Sequence, residues 1–272
     1  MLERRPPLLT ALLWLAALAL VVLAIGPALW LLLIALQPPG TDLSSVTGRP
    51  TLANFSAAVD SGTLSWPLVN SVLVTFGRAV LNVVLAALAA YPLAKMSFPG
   101  RNLIFVLMLA TMMIPEQVIV VPMFISIVNM GLYDTLLAVI IPFSVSAFGI
   151  FLCRQAFAAI PDSLEEAARI DGATSLQIWW HVMLPLSAPT LATLALFSVI
   201  GAWSELLWPL IVLQQRENFT LPVAVNELIG QFASSPRTYY AASVLALIPI
   251  LIGFVAMQRW LKPQMFAGAV KG

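Results

Sequence analysis

Two groups of polar side chains interrupt an otherwise apolar chain. The first runs from Glu165 to Pro189, EEAARIDGATSLQIWWHVMLPLSAP, and contains His181, the one histidine of the sequence. The second is Gly201-Ala202-Trp203-Ser204-Glu205-Leu206-Leu207-Trp208-Pro209, a carboxylate between tryptophans, with Arg78 as a lone cation in a separate apolar run. Covalent chemistry is excluded for both. His181 has neither the companions of a zinc site nor those of a Ser-His-Asp triad, and Cys153 is the only cysteine. No GxxxxGK[ST] phosphate loop occurs, so no cofactor is expected on this chain, and ATP with its Mg would have to sit on another polypeptide. What remains is binding and the transmission of force. Trp203 and Trp208 could stack on the apolar face of a sugar ring, or form an interfacial aromatic belt while Glu205 reaches water.

The first group reads as a pair of short helices. Pro161-Asp162-Ser163 opens one, with Asp162 as its cap and Glu165 three residues on. Gly172 ends it, because the left-handed residue after a helix is usually glycine. Thr174 and Gln177 form a second capping pair. Leu176, Trp179, Trp180, Met183 and Leu184 then make an apolar stripe, and Pro185 and Pro189 follow. Ala167, Ala168, Gly172 and Ala173 leave a small face on which another backbone can come close. Helices this short are marginal in water and need packing. A lipid surface, with Trp179 and Trp180 at the headgroups, and a protein partner both satisfy that need. Nucleic acid does not, since the segment is not basic and the net charge is only +1.

The elements that hold these groups are membrane spans. Of 272 residues, 61% are hydrophobic and 9% charged, against roughly 25% charged in soluble domains. Six apolar segments long enough to cross a bilayer lie at about 8–36, 69–93, 102–122, 134–153, 187–213 and 239–261. The first is too long for a signal-peptide core and reads as an uncleaved span. Pro115, Glu116 and Pro122 break the third, whose interfacial piece reaches about Asn129, and Glu116 can cap the broken helix. Arg4, Arg5, Lys95, Arg101, Arg154, Arg169, Arg259, Lys262 and Lys271 gather on one side, with Arg49, Arg216 and Arg237 opposite. That bias predicts cytoplasmic N- and C-termini and a cytoplasmic segment at 161–186. Arg78 can snorkel, pair with Glu205 or pair with a partner subunit. Residues 1–272 form one transmembrane domain without internal repeats, and Cys153 reads as a small apolar filler.

The run Glu166-Ala167-Ala168, three residues, Gly172, then Leu184-Pro185 resembles the EAA motif of permease subunits of binding-protein-dependent ABC importers. EAARIDGA followed by Trp179 and Leu184-Pro185 is similar to the sugar-importer branch. Asn70-Ser71, Phe148-Gly149, Arg154-Gln155, Trp203-Ser204-Glu205 and the closing GAVKG agree, the last resembling the tail of the maltose-importer type second permease. Trp179 stands where the family usually has Phe, Val182 where it has Ile, and Ser204 where Asn is common. The resemblance implies an all-α polytopic membrane protein with the type I importer architecture, in a bacterial or archaeal plasma membrane. It implies coupling to an ATPase dimer through Glu165, Glu166, Ala167, Ala168, Asp171, Gly172, Ala173, Trp179, Leu184 and Pro185. Gly268 and Lys271 of the tail would touch that ATPase. Asn70, Arg78, Trp203, Ser204, Glu205 and Trp208 are candidates for the translocation path. A second permease, an external solute-binding protein and membrane lipid are the other partners. Carbohydrates or related polyol and glycerol-phosphate solutes are the implied cargo. The alternative is a proton-coupled secondary transporter using Glu205 and Arg78, against which the lack of inverted repeats counts.

Overall fold

A computed structural model describes residues 7–39, 48–231 and 236–258. In chain order these form α1 (Pro7–Ala35), α2 (Ala53–Asp60), α3 (Ser65–Lys95), α4 (Arg101–Thr111), α5 (Glu116–Asn129), α6 (Leu136–Ile140) and α7 (Ala147–Ala158). There follow α8 (Asp162–Ile170), α9 (Ser175–Ile178), α10 (Leu184–Leu186), α11 (Ala188–Ser204), α12 (Leu207–Val212), α13 (Leu221–Gln231) and α14 (Pro236–Met257). Leu12–Ala35, α3 and Pro236–Ala256 are each long and apolar enough to cross a membrane alone. Three further pairs would bring the number to six if each counts as one bent span: α4 with α5 at 100°, α6 with α7 at 45°, and Ser175–Leu186 with α11 at 80°. Proline or a capping serine explains each bend. Pro115 precedes α5, Ser146 caps α7 by accepting from the Gly149 N–H, and Pro189 opens α11.

The chain divides into two units, Met1–Leu64 with Val225–Ile248, and Ser65–Ala224 with Pro249–Gly272. In the first, side chains close the carboxyl end of α1. Asn54 Nδ2 donates to the carbonyls of Ala35 and Gln37, both at 2.7 Å, and Arg237 Nη1 donates to Ile34 at 2.9 Å. A helix end leaves four carbonyls without partners, and a cation there also meets the negative pole of the dipole.

In the second unit α3 is the spine, packed along α7 and α11. Small residues set that approach. Ala86, Ala87 and Ala90 are fully buried, and a Cβ added at Gly149 would meet Ala86 Cβ and Leu194 Cδ1, each at 3.1 Å. One end of the spine is packed by Tyr91, Cys153, Phe157, Ile178, Trp179 and Met183, the other by Val74, Val139, Trp208 and Val212. Cys153 is fully buried in the first of these clusters, in keeping with its reading as apolar filler. Where the sequence suggests one span over 187–213, α11 stops at Ser204, Glu205 is extended, and α12 begins two residues later. The Glu205 carboxylate accepts from the Trp208 N–H at 3.2 Å, so it starts α12 instead of interrupting a continuous helix. Gly268, Lys271 and the end of the apolar segment at 239–261 lie outside the described residues.

Candidate functional site

The 161–186 segment folds as a helical hairpin. Gly172 has φ of +83°, its N–H donates to Arg169 O at 3.0 Å, and the Ala173 N–H reaches back to Ala168 O at 2.9 Å. This is the Schellman termination that the glycine predicts. Thr174 and Gln177 form the expected reciprocal capping box. The expected cap at Asp162 is not formed. Pro161 holds that position, and the Asp162 carboxylate instead takes a 2.5 Å ion pair from Lys95 of α3. The stripe is also corrected. A π turn over Trp179–Met183 adds a residue to the repeat, so Ile178, Trp179 and Met183 go inward while Leu176 and Trp180 stay exposed.

Three contacts join the hairpin to the end of α3, and two more tie the adjoining end of α7 and its exit to it. Glu165 is buried and accepts from Tyr91 Oη at 3.0 Å and from Arg169 Nη2 at 2.7 Å. Lys95 Nζ donates to Ile160 O at 2.6 Å as well as to Asp162. The Trp179 indole N–H donates to Ala87 O at 3.2 Å, a bond that phenylalanine could not make. Arg154 Nε donates to Leu93 O at 3.1 Å. The hydrogen bond and charge of Lys95 hold the Asp162 carboxyl below the usual carboxylate range. Glu165 in turn raises the pKa of Arg169, by hydrogen bond first and then by charge. Glu165 is therefore occupied within the chain. Glu166, Ala167, Asp171, Gly172 and Pro185 face outward, while Leu184 packs half-buried. A cleft of about 330 Å³ opens between the two helices, lined by Ala168, Gly172, Ala173, Gln177 and His181 among others. Ile170 stands beside it as an apolar side chain at 86% exposure.

A second concavity, of about 510 Å³, lies between α3, α5, α7 and α11. Arg78 lines it, 9% exposed, with its guanidinium 4.2 Å from the Phe143 ring centroid. Arg78 Nη1 is shut from solvent without a hydrogen-bond partner, and no ion pair joins Arg78 to Glu205 among the described residues. Asn82, one helical turn on, donates to Ser198 Oγ at 2.7 Å and accepts from the Ser146 N–H and Oγ at 3.0 and 3.1 Å. It thereby ties α3 to α7 and α11. Phe148 and Phe197 meet edge to face in the wall, and Glu116 stands exposed at the first turn of α5.

Of the path candidates named from sequence, only Arg78 lines this cavity. Asn70 is turned to the loop carbonyls of Glu217 and Phe219, at 2.7 and 2.9 Å. Trp208 is buried with its indole N–H on Ala138 O at 2.9 Å and its ring edge-on to Phe143, so it cannot stack on a solute here. Trp203 is buried and Ser204 exposed, neither of them in the wall. Asn82, Ser146, Phe148, Phe197 and Ser198 escaped the sequence reading as cavity residues. One signal was present: Ser71, Thr75, Arg78 and Asn82 fall at spacings of four, three and four, a buried polar stripe on one face of α3.

A helical bundle with an intramembrane polar cavity and a separate exposed hairpin defines a polytopic transport subunit. Residues 82–267 match the family described as binding-protein-dependent transport system inner membrane component, and the chain belongs to that family. It is 33% identical to the arabinooligosaccharides transport system permease protein of Halalkalibacterium halodurans, over 99% of both chains. It is 34% identical to the trehalose transport system permease protein of Mycobacterium tuberculosis, over 92% of this chain and 93% of the other. An sn-glycerol-3-phosphate transport system permease protein of Yersinia pestis is 35% identical over 71% of this chain and 69% of its own. The fold is that of a subunit in the crystal structure of a bacterial ABC transporter involved in alginate import. The two superpose with a TM-score of 0.82 at 23% identity, covering 96% of this chain and 99% of the other.

Proposed function

We propose that this chain is one of two permease subunits of an ATP-driven importer that carries a carbohydrate or related polyol into the cell. The observation that carries the coupling half of this reading is the α8–α9 hairpin: a capped, cleft-bearing pair with Glu166, Ile170 and Gly172 exposed, braced on the helix that leads to the cavity. A cytoplasmic ATPase dimer, binding ATP and Mg, would dock there. Lys95, Arg101, Arg154 and Arg169 all belong to the hairpin end of the second unit, which supports a cytoplasmic position for it. ATP binding would draw two such hairpins together and turn the path outward toward a solute-binding protein, and hydrolysis would return it. The relatives that transport arabinooligosaccharides and trehalose support a sugar cargo.

The test is co-purification of a co-expressed partner ATPase with Glu166→Ala, Gly172→Asp and the double variant. Retention should fall stepwise, and ATP-dependent uptake with it. Docking and uptake at wild-type levels in the double variant would remove the coupling assignment.

A further inference from the structure

Arg78 lies about 20 Å along α3 from Ser65 and about 26 Å from Lys95, at 1.5 Å per residue. It is thus deep within the span, where an uncompensated cation is costly. Its Nη1 has no partner, and the cavity is large enough for a ligand. An apolar occupant would leave that donor unsatisfied. An anionic occupant meets the opposite objection. The Glu116 carboxylate lines the same cavity and would face it. A neutral solute with vicinal hydroxyls meets neither objection. It can take the guanidinium fork on its oxygens, donate to Glu116, and lay a C–H face against Phe148 or Phe197.

We propose that the cavity bounded by Arg78, Glu116, Phe148 and Phe197 is a subsite on this chain for one neutral, polyhydroxylated ring of the transported solute. The inference rests on the importer reading and narrows it in two ways. It places solute contact on this subunit and not only on its partner, and it disfavours phosphate- and carboxylate-bearing cargo.

Val145 lines the same cavity and is 45% exposed, and the native Cys153 is buried. Val145→Cys therefore introduces one accessible thiol, to be labelled with a methanethiosulfonate reagent in the full-length chain, co-expressed with its permease partner in nanodiscs. Millimolar arabinotriose or trehalose should slow labelling at least about fivefold, while glycerol 3-phosphate and glucuronate leave it unchanged. Adding Arg78→Met should abolish the protection without slowing the labelling itself. Because Arg78→Met could disturb folding, Glu116→Gln gives an independent arm at an exposed residue, and there glucuronate should gain protection. Three results overturn the subsite: no protection by the neutral sugars, equal protection by the acidic ones, or a Val145→Cys thiol that a partner helix seals from reagent. Labelling needs neither ATP nor a binding protein. A failure here thus removes the subsite alone, while ATP-dependent uptake tests the importer reading separately.

Discussion

If the hairpin transmits force through α3, the bond between Tyr91 and Glu165 is where loosening should be measurable. Lifting the hairpin from α3 does not break every contact of Glu165. Arg169 lies on the same helix, four residues on, and its 2.7 Å bond travels with α8. The contacts that must break are Tyr91 Oη to Glu165, Lys95 to Asp162, and Trp179 to Ala87 O. Among these, Tyr91 to Glu165 is a hydrogen bond to an ionised acceptor between side chains that are 4% and 6% exposed as residues. Such bonds contribute about 1.5–3 kcal/mol. Asp162 is solvent-facing and adds far less.

Tyr91→Phe removes the hydroxyl and keeps the ring in its core cluster. At a factor of ten per about 1.4 kcal/mol, it should raise the lifted population about ten- to a hundredfold. Hydrogen exchange, read by mass spectrometry on peptides spanning residues 163–172 in nanodiscs, should speed up by the same factor. Trp179→Phe deletes a neutral bond worth about 0.5–1.5 kcal/mol and should give a smaller, about two- to tenfold, effect. Glu166→Ala is the control, since Glu166 is exposed and contributes to none of the three contacts. Exchange within about twofold of wild type in Tyr91→Phe, or an equal rise in Glu166→Ala, would refute the brace.

Three further outcomes follow from local geometry. Gly149→Leu should lower the yield of folded protein in fluorescence-detected size exclusion, because its first added carbon already meets Ser146 Oγ at 2.9 Å, and overpacking costs about 1–3 kcal/mol. Gly172→Val should lose about 1–2 kcal/mol, read as a lowered melting temperature, while Gly172→Asn loses less; the space around Gly172 is open, so the cost lies in its φ of +83° and not in a clash. Lys95 depresses the folded-state pKa of Asp162, so that clip contributes fully above about pH 4 and fades as pH falls through the lower folded value. Protection of the first turn of α8, corrected for intrinsic exchange, should therefore decline on acidification in the wild type and be flat in Asp162→Asn.

What the sequence made legible was what neighbours decide. Gly172 and the Thr174–Gln177 box lie within four residues of the atoms they satisfy, and both are seen in the structure. The break at Pro115 follows from a ring that cannot continue a helix, and α5 indeed starts anew there. Asp162 was misread by the same reasoning. The cap rule weighs only the next turn, whereas its partner Lys95 lies 67 residues away. Trp208 failed likewise: tryptophans flanking a glutamate suggest a sugar platform, but Phe143 and the Ala138 carbonyl bury this one.

The cavity was missed for a different reason. Reading intramembrane residues by chemical rarity promotes Arg78, Glu205 and the tryptophans and passes over Asn82, Ser146 and Ser198. Yet a serine can satisfy its hydroxyl on its own helix, while an asparagine amide in a span needs partners from other helices. Asn82 finds them on α7 and α11, and in drawing those helices to α3 it helps frame the cavity wall. The informative question for each polar residue in a span is thus how many bonds its own helix leaves unmade. By that measure Asn82 and Arg78 outrank Glu205, whose carboxylate accepts the Trp208 amide three residues on.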